Sequence, residues 1–407
     1  MKGVRFRAAR SCRGWVAGRL TLYSLLVWAS ACSRSAETGA SIAEDFALAV
    51  EQHQAGDLES ALGAYDRVLG ADPQHLGAWI NCSALRLEQG EWEAALADAD
   101  HALELNPEDA DAHLQRARIL FAGGTPEAAL VDLGRALELD PLLDGAYETR
   151  GDCWVELNEL DAAVVDYSNA LRLDPNRVEL WTSRAEAQRA RQQPDEAAMD
   201  DLLAELTQRI LRSEGDPEGY VTRGLALLER QETELAQTDF DRALAIDPKL
   251  ERAFLARAHT RWLLGEEAQA LADYGAWIQD HPGARGPALL ARATVYTLLG
   301  SDAEAAADLE QALTDDPMNH AARADLAWLL ATSQVADAQN PARGLELAEA
   351  LPADSEEPWR PSEIRAAAYA ALGRWEEAEG TLGQAIQAAP EEVATKLRDR
   401  LTEYRAR

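Results

Sequence analysis

Pro73, Pro107, Pro141 and Pro175 stand 34 residues apart, and Pro248 and Pro282 repeat the interval. Pro317 follows after 35, and the two long gaps, Pro175 to Pro248 and Pro317 to Pro390, are both 73 residues, or two repeats plus five. A fixed period of this length marks a repeat array, in which each unit is one supersecondary element that buries its apolar face only against its neighbours. Twelve residues before each of these prolines stands an alanine: Ala61, Ala95, Ala129, Ala163, Ala236, Ala270, Ala305 and Ala378. Such a chain grows by adding units to one continuous core, so its 407 residues do not call for two or three separate globular domains. It presents a surface rather than enclosing a pocket.

Within each unit, apolar and small residues recur at helical spacing, pass through a Gly or polar turn, recur again, and end at a joint such as Leu139-Asp140-Pro141. A residue before proline is pushed out of the α region, which ends the second helix. Small residues hold one register throughout: Ala49, Ser83, Ala117, Gly151, Ala185, Gly224, Ala258, Ala293, Ala327 and Ala366 at repeat position 8. Position 20 adds Ala197 and Gly344 to the alanines above, and position 27 is Ala102, Ala136, Ala170, Ala204, Ala243, Ala312 and Ala385. Closely crossing helices need small residues at the crossing point. The pattern resembles the tetratricopeptide repeat, a helix–turn–helix unit. That resemblance implies an all-α, right-handed α-solenoid of about ten repeats over 42–392, with boundaries at 42–75, 76–109, 110–143, 144–177, 178–216, 217–250, 251–284, 286–319, 320–358 and 359–392. A C-terminal capping helix is expected at 393–407. Three departures stand out. Trp277 fills a small position and is expected to splay the next repeat. The fifth repeat carries five extra residues near Ser213–Asp216, and the ninth carries five within Ser333–Asn340.

The first 31 residues hold six bases and no acid, and the apolar run Leu20–Ala31 follows the basic stretch. Twelve residues are too few for a bilayer that needs about 20, so residues 1–31 read as a signal peptide. Val27-Trp28-Ala29-Ser30-Ala31-Cys32 resembles a bacterial lipobox, although Ala29 stands where that motif prefers leucine. The resemblance implies lipid on Cys32, a polar tether over 32–41, and anchorage to the membrane of a bacterial cell envelope, facing the periplasm or exterior. Ordinary cleavage after Ala31, giving a soluble secreted chain, also fits the small-residue rule. Without the leader, 33 bases face 71 acids. Such a surface repels nucleic acid, which seeks a basic patch. Cys82 and Cys153 lie two repeats apart, beyond disulfide reach, and read as buried small hydrophobes.

Arginine recurs at position 7 (Arg116, Arg150, Arg184, Arg223, Arg257, Arg292) and aspartate at position 23 (Asp98, Asp132, Asp166, Asp200, Asp239, Asp273, Asp308). Arginine stays protonated and cannot act as a base, so the pattern reads as an ion-pair ladder rather than a catalytic array. Cys82 and Ala64 break the two series one repeat apart, which favours pairing each aspartate with the next repeat's arginine. Arg150, Arg184 and Arg257 are thus expected to approach Asp132, Asp166 and Asp239. The seven histidines show no i,i+4 pair and no HExxH, and the sequence contains no phosphate loop of the GxxxxGK[ST] kind and no GxSxG elbow. No enzyme, metal or cofactor is expected.

By the same resemblance, positions 5, 9 and 12 of the first helices line a concave groove. The candidate partner-binding residues are Phe46, Val50, Ile80, Leu114, Phe121, Glu148, Asp152 and Glu186. They describe an apolar groove with an acidic middle, suited to a partner segment with apolar anchors flanking a basic stretch. The expected function is a non-catalytic interaction scaffold that binds envelope proteins, similar to bacterial tetratricopeptide lipoproteins that assist envelope assembly. The alternative is a sensor holding a small molecule or peptide on the inner face.

Overall fold

A computed structural model describes residues 36–213, 215–352 and 357–407. Cys32, the signal segment and the lipobox lie outside the described residues. Those residues form twenty-one helices and no strand, joined as successive helix–turn–helix pairs. None of these helices is long and apolar enough to cross a membrane. The chain divides into two compact units, one ending at Leu211 and one beginning at Arg212.

The first unit holds α1 (Ala36–Gln54), α2 (Leu58–Ala71), α3 (Leu76–Glu88), α4 (Trp92–Leu105), α5 (Ala110–Ala122), α6 (Pro126–Leu139), α7 (Asp144–Glu156), α8 (Leu160–Leu173), α9 (Val178–Ala190) and α10 (Pro194–Arg212). The second holds α11 (Pro217–Glu229), α12 (Thr233–Ile246), α13 (Glu251–Leu263), α14 (Glu267–Asp280), α15 (Gly286–Leu298), α16 (Asp302–Asp315), α17 (His320–Thr332), α18 (Pro341–Glu349), α19 (Arg360–Ala371), α20 (Trp375–Ala388) and α21 (Glu391–Arg405). Helix α1 opens at Ala36, so part of the stretch expected as a tether is helical. Helix α21 follows the tenth pair and packs on α20. The fifth repeat's five extra residues fall in its second helix. They lengthen α10 to 19 residues, against 14 in α8. Those of the ninth repeat do lie between its helices, between Thr332 and Pro341.

Each joint has a local cause. Asp72, Asp140, Asp174, Asp247 and Asp316 end second helices in an extended conformation, and their side chains accept from the backbone N–H two residues on, at 2.9–3.1 Å. This turn bridges the proline, which has no N–H of its own. The turn inside a repeat needs a left-handed residue. Gly56, Gly90, Gly124, Gly265, Gly300 and Gly373 supply it, and Asn158, Gln192 and Gln231 adopt it at φ 61–64°. The core lies between the two helices of each pair and between neighbouring pairs. The alanines at positions 8, 20 and 27 are sealed there almost completely. Trp181 is fully buried, and its indole N–H donates to the Pro175 carbonyl at 3.0 Å, so burying the ring leaves no polar group unmet. Trp277 also finds a place. Its ring stacks on His281 at 3.7 Å and its N–H donates to the Ala284 carbonyl at 3.2 Å.

Candidate functional site

First helices of neighbouring repeats touch directly: α3 meets α5 and α5 meets α7 in the first unit, while α11 meets α13 and α13 meets α15 in the second. Within each unit they form a wall on which positions 5, 9 and 12 lie.

The structure distributes the expected groove residues unevenly on the wall of the first unit. Phe46 is half-buried, 4.6 Å from the His75 ring and 6.0 Å from Tyr65, and Val50 packs beside it against the first repeat's core. Ile80 and Phe121 are half-buried against their own repeats' cores, and Leu114 is only 5% exposed. Helix packing therefore takes up much of the apolar surface that the sequence offered to a partner. Of the three acids, only Glu186 is exposed.

Glu148, 5% exposed, accepts from Arg177 at 2.5 Å, and Arg177 also reaches Asp144 at 3.4 Å. One turn on, Asp152 accepts from the Tyr167 hydroxyl at 2.6 Å. Burial pushes the Asp152 carboxyl up to about 7, opposed by the Tyr167 hydrogen bond and assisted by repulsion from Glu148. Burial raises Glu148 as well, against the attraction of Arg177. The expected acidic middle is largely an internal charge network. Tyr167 and Arg177 carry no groove signal, because they come from a second helix and a joint.

The ladder forms, but with the other partner. Arg116, Arg150, Arg184, Arg223, Arg257 and Arg292 each grip the aspartate of their own repeat through paired bonds of 2.6–3.0 Å, at Asp132, Asp166, Asp200, Asp239, Asp273 and Asp308. The between-repeat pairing expected for Arg150, Arg184 and Arg257 is overturned. Position 23 faces the first helix of its own pair. Contact with the preceding repeat runs through position 25 instead: Arg116 to Asp100 at 3.0 Å, Arg184 to Ser168 at 2.9 Å and Arg257 to Asp241 at 3.1 Å. Asp98, opposite the uncharged Cys82, takes Arg86 from one turn further along α3. Cys82 and Cys153 are free and buried, and burial pushes both thiols up to about 12, so they stay protonated. Among the described residues no group of three or more His, Cys, Asp or Glu is arranged to hold a metal ion.

Paired helices, joint prolines and a wall of touching first helices define a helical-repeat protein. The family model described as tetratricopeptide repeat matches residues 85–143 and 150–211. With this register continuing in the helix pairs on either side, the chain is a tetratricopeptide-repeat protein. Solved structures similar to it include yeast Tom70, 14% identical over 91% of this chain and 96% of that one, at a TM-score of 0.42. MamA is 22% identical over 40% of this chain and 94% of its own, at a TM-score of 0.35. TTC0263, a thermophilic TPR protein of Thermus thermophilus, is 22% identical over 46% and 99%, at 0.38. No curated protein matches the sequence.

Proposed function

We propose that this protein is a non-catalytic interaction scaffold of the bacterial cell envelope, held to a membrane by lipid on Cys32. It binds a basic, apolar-anchored segment of an envelope protein along the first-helix wall of its first unit. Tetratricopeptide repeats commonly serve as protein-binding scaffolds. The observation that carries the reading is the first-helix wall itself, on which exposed Glu186 lies one repeat beyond half-buried Asp152, with half-buried Phe46, Val50, Ile80 and Phe121 toward the other end. An extended segment is recognised by such an arrangement through apolar contacts toward one end and charge attraction toward the other. The anchor rests on the basic leader, the short apolar run and the lipobox-like residues before Cys32.

The test has two arms. Metabolic palmitate should label the wild type, and Cys32→Ala should abolish the label and release the protein from membranes. An unlabelled, freely soluble wild type removes the anchor from the reading. Capture from membranes then supplies the partner segment. Glu186→Lys should slow its association and flatten the salt dependence, because steering acts mainly on the on-rate. Phe121→Ala should speed dissociation by about thirty-fold, corresponding to ~2 kcal/mol for an anchor residue. A partner indifferent to both changes binds elsewhere.

A further inference from the structure

In each ladder rung a guanidinium forms paired bonds with the aspartate of its own repeat. The face of α7 that carries Asp144, Glu148 and Asp152, at one-turn intervals, is arranged differently. Two guanidiniums act on these three carboxylates: Arg118 from α5, and Arg177 from the joint that precedes α9. The other groups around them are the Tyr167 hydroxyl from α8, Glu186 from α9, Asp111 from α5 beside Arg118, and the neutral Cys153 thiol on α7 itself. The seam is built tightly. A Cβ on Gly145 would lie 2.5 Å from the Arg118 guanidinium, and one on Gly151 would lie 2.7 Å from the Tyr167 ring. These two glycines let Arg118 lie across α7 and bring the Tyr167 hydroxyl onto Asp152. Glu148 is almost wholly buried, so its negative charge has little water to stabilise it, whereas the Asp144 side chain is 44% exposed and keeps water.

We propose that the α5–α7–α8 seam is a proton-operated joint: one proton shared between Asp152 and Glu148 keeps the fourth repeat tightly packed, and losing it toward alkaline pH loosens α7. The proton balances the surplus carboxylate, and the Tyr167 O–H can donate to Asp152 whether or not that proton is present. Two carboxylates one turn apart titrate as a pair. The raised Asp152 value of about 7 places the change near neutrality. Its sign follows from linkage. An acid whose folded value lies above its unfolded one, about 3.9 for aspartate, gives its full stabilisation below the unfolded value. That stabilisation falls as pH rises toward 7 and stays constant above it. This joint operates whether or not a partner binds the wall.

The experiment compares the full chain with Asp152→Asn, which keeps an acceptor for Tyr167 but cannot ionise. Amide exchange of α7, corrected for intrinsic rates, is followed from pH 5 to pH 8.5. The opening equilibrium of the wild type should rise relative to that of the variant by on the order of ten- to a hundred-fold between pH 5 and pH 8. Parallel profiles overturn the proposal. A second readout does not depend on that variant folding: carboxyl-labelled aspartate spectra of wild type and Tyr167→Phe. One carboxyl should titrate near pH 7 in the wild type and higher once the hydroxyl is gone. If every aspartate titrates below pH 5 in both proteins, the seam holds no such proton.

Discussion

Two buried charged clusters lie in the first unit, one repeat apart, and they are built on opposite principles. Arg184 and Asp200 are 1% and 0% exposed, joined by bonds of 2.9 and 2.7 Å, with the remaining guanidinium edge on Ser168. In the rung a guanidinium and a carboxylate meet edge to edge through two ionic hydrogen bonds. The α7 seam has a carboxylate to spare, and its hydrogen bonds reach Asp152 from a neutral phenol. Both clusters cost desolvation. The rung recovers that cost through paired ionic bonds, and the seam recovers it through a proton. A balanced pair can therefore specify register, because a slipped helix would leave a bare charge, whereas a surplus acid makes the packing respond to pH.

The comparison is tested most severely at the rung. Arg184→Met leaves Asp200 buried without its guanidinium and should cost about 3–5 kcal/mol. Arg184→Met with Asp200→Leu should recover most of that loss, because an apolar pair of similar volume is often neutral or better in place of a buried ion pair. Repeat arrays lose repeats piecemeal, so the readout is denaturant-dependent amide exchange resolved at α9 and α10 rather than one global midpoint. A double variant as unstable as the single one would mean that the rung is no self-contained pair.

The seam should yield less to a purely steric change. Gly151→Ala drives a methyl into the edge of a ring that is only 2% exposed, with two Tyr167 atoms inside 3.0 Å of the new carbon. About 2 kcal/mol should be lost, within the usual range for overpacking. The shift of Tyr167 should also weaken its bond to Asp152, so this variant should differ from wild type in its pH profile as well as its stability. A loss of stability with an unchanged profile would separate packing from titration and confine the seam to a structural role.

The repeat could be read from the chain because it depends on residue size at fixed spacing: an alanine or glycine at positions 8 and 20 reports helix crossing in any unit. The ladder was half legible. Its members were plain at positions 7 and 23, but their pairing depends on which way position 23 points, and period alone does not carry that. The break at Cys82 favours pairing with the next repeat only where no other residue of the same helix can reach Asp98. Arg86 does reach it, and repeat seven has its counterpart, since Arg261 joins Arg257 on Asp273 at 2.6 Å. The seam was the least legible part. Glu148 and Asp152 stood out as an acidic pair on the inner wall, where the plain reading was solvent-facing charge. Arg177 reaches back from the repeat's last residue, and the room for Arg118 and Tyr167 comes from Gly145 and Gly151, and small residues in such an array report helix crossing before anything else.

The smallest expected effect sharpens the comparison at repeat two, where the rung is improvised. Asp98 is 4% exposed and burial raises its carboxyl, with Arg86 pulling the other way. Arg86→Met should therefore raise it further and cost about 1–2 kcal/mol at pH 8, the penalty for a buried acceptor deprived of its donor. The loss should fade as pH falls toward 4, because an aspartate that has taken up a proton no longer needs the guanidinium. Adding Cys82→Arg to that variant places a guanidinium at position 7, where Arg116 and Arg150 hold their own aspartates with side chains 30% and 26% exposed. Stability at pH 8 should return while stability at pH 4 stays unchanged, as measured by urea titration with exchange at α3 and α4. If the new arginine restores nothing, position 7 does not by itself define a rung. Arg86 would then be holding Asp98 through a geometry peculiar to this repeat, closer to the α7 seam than to the ladder.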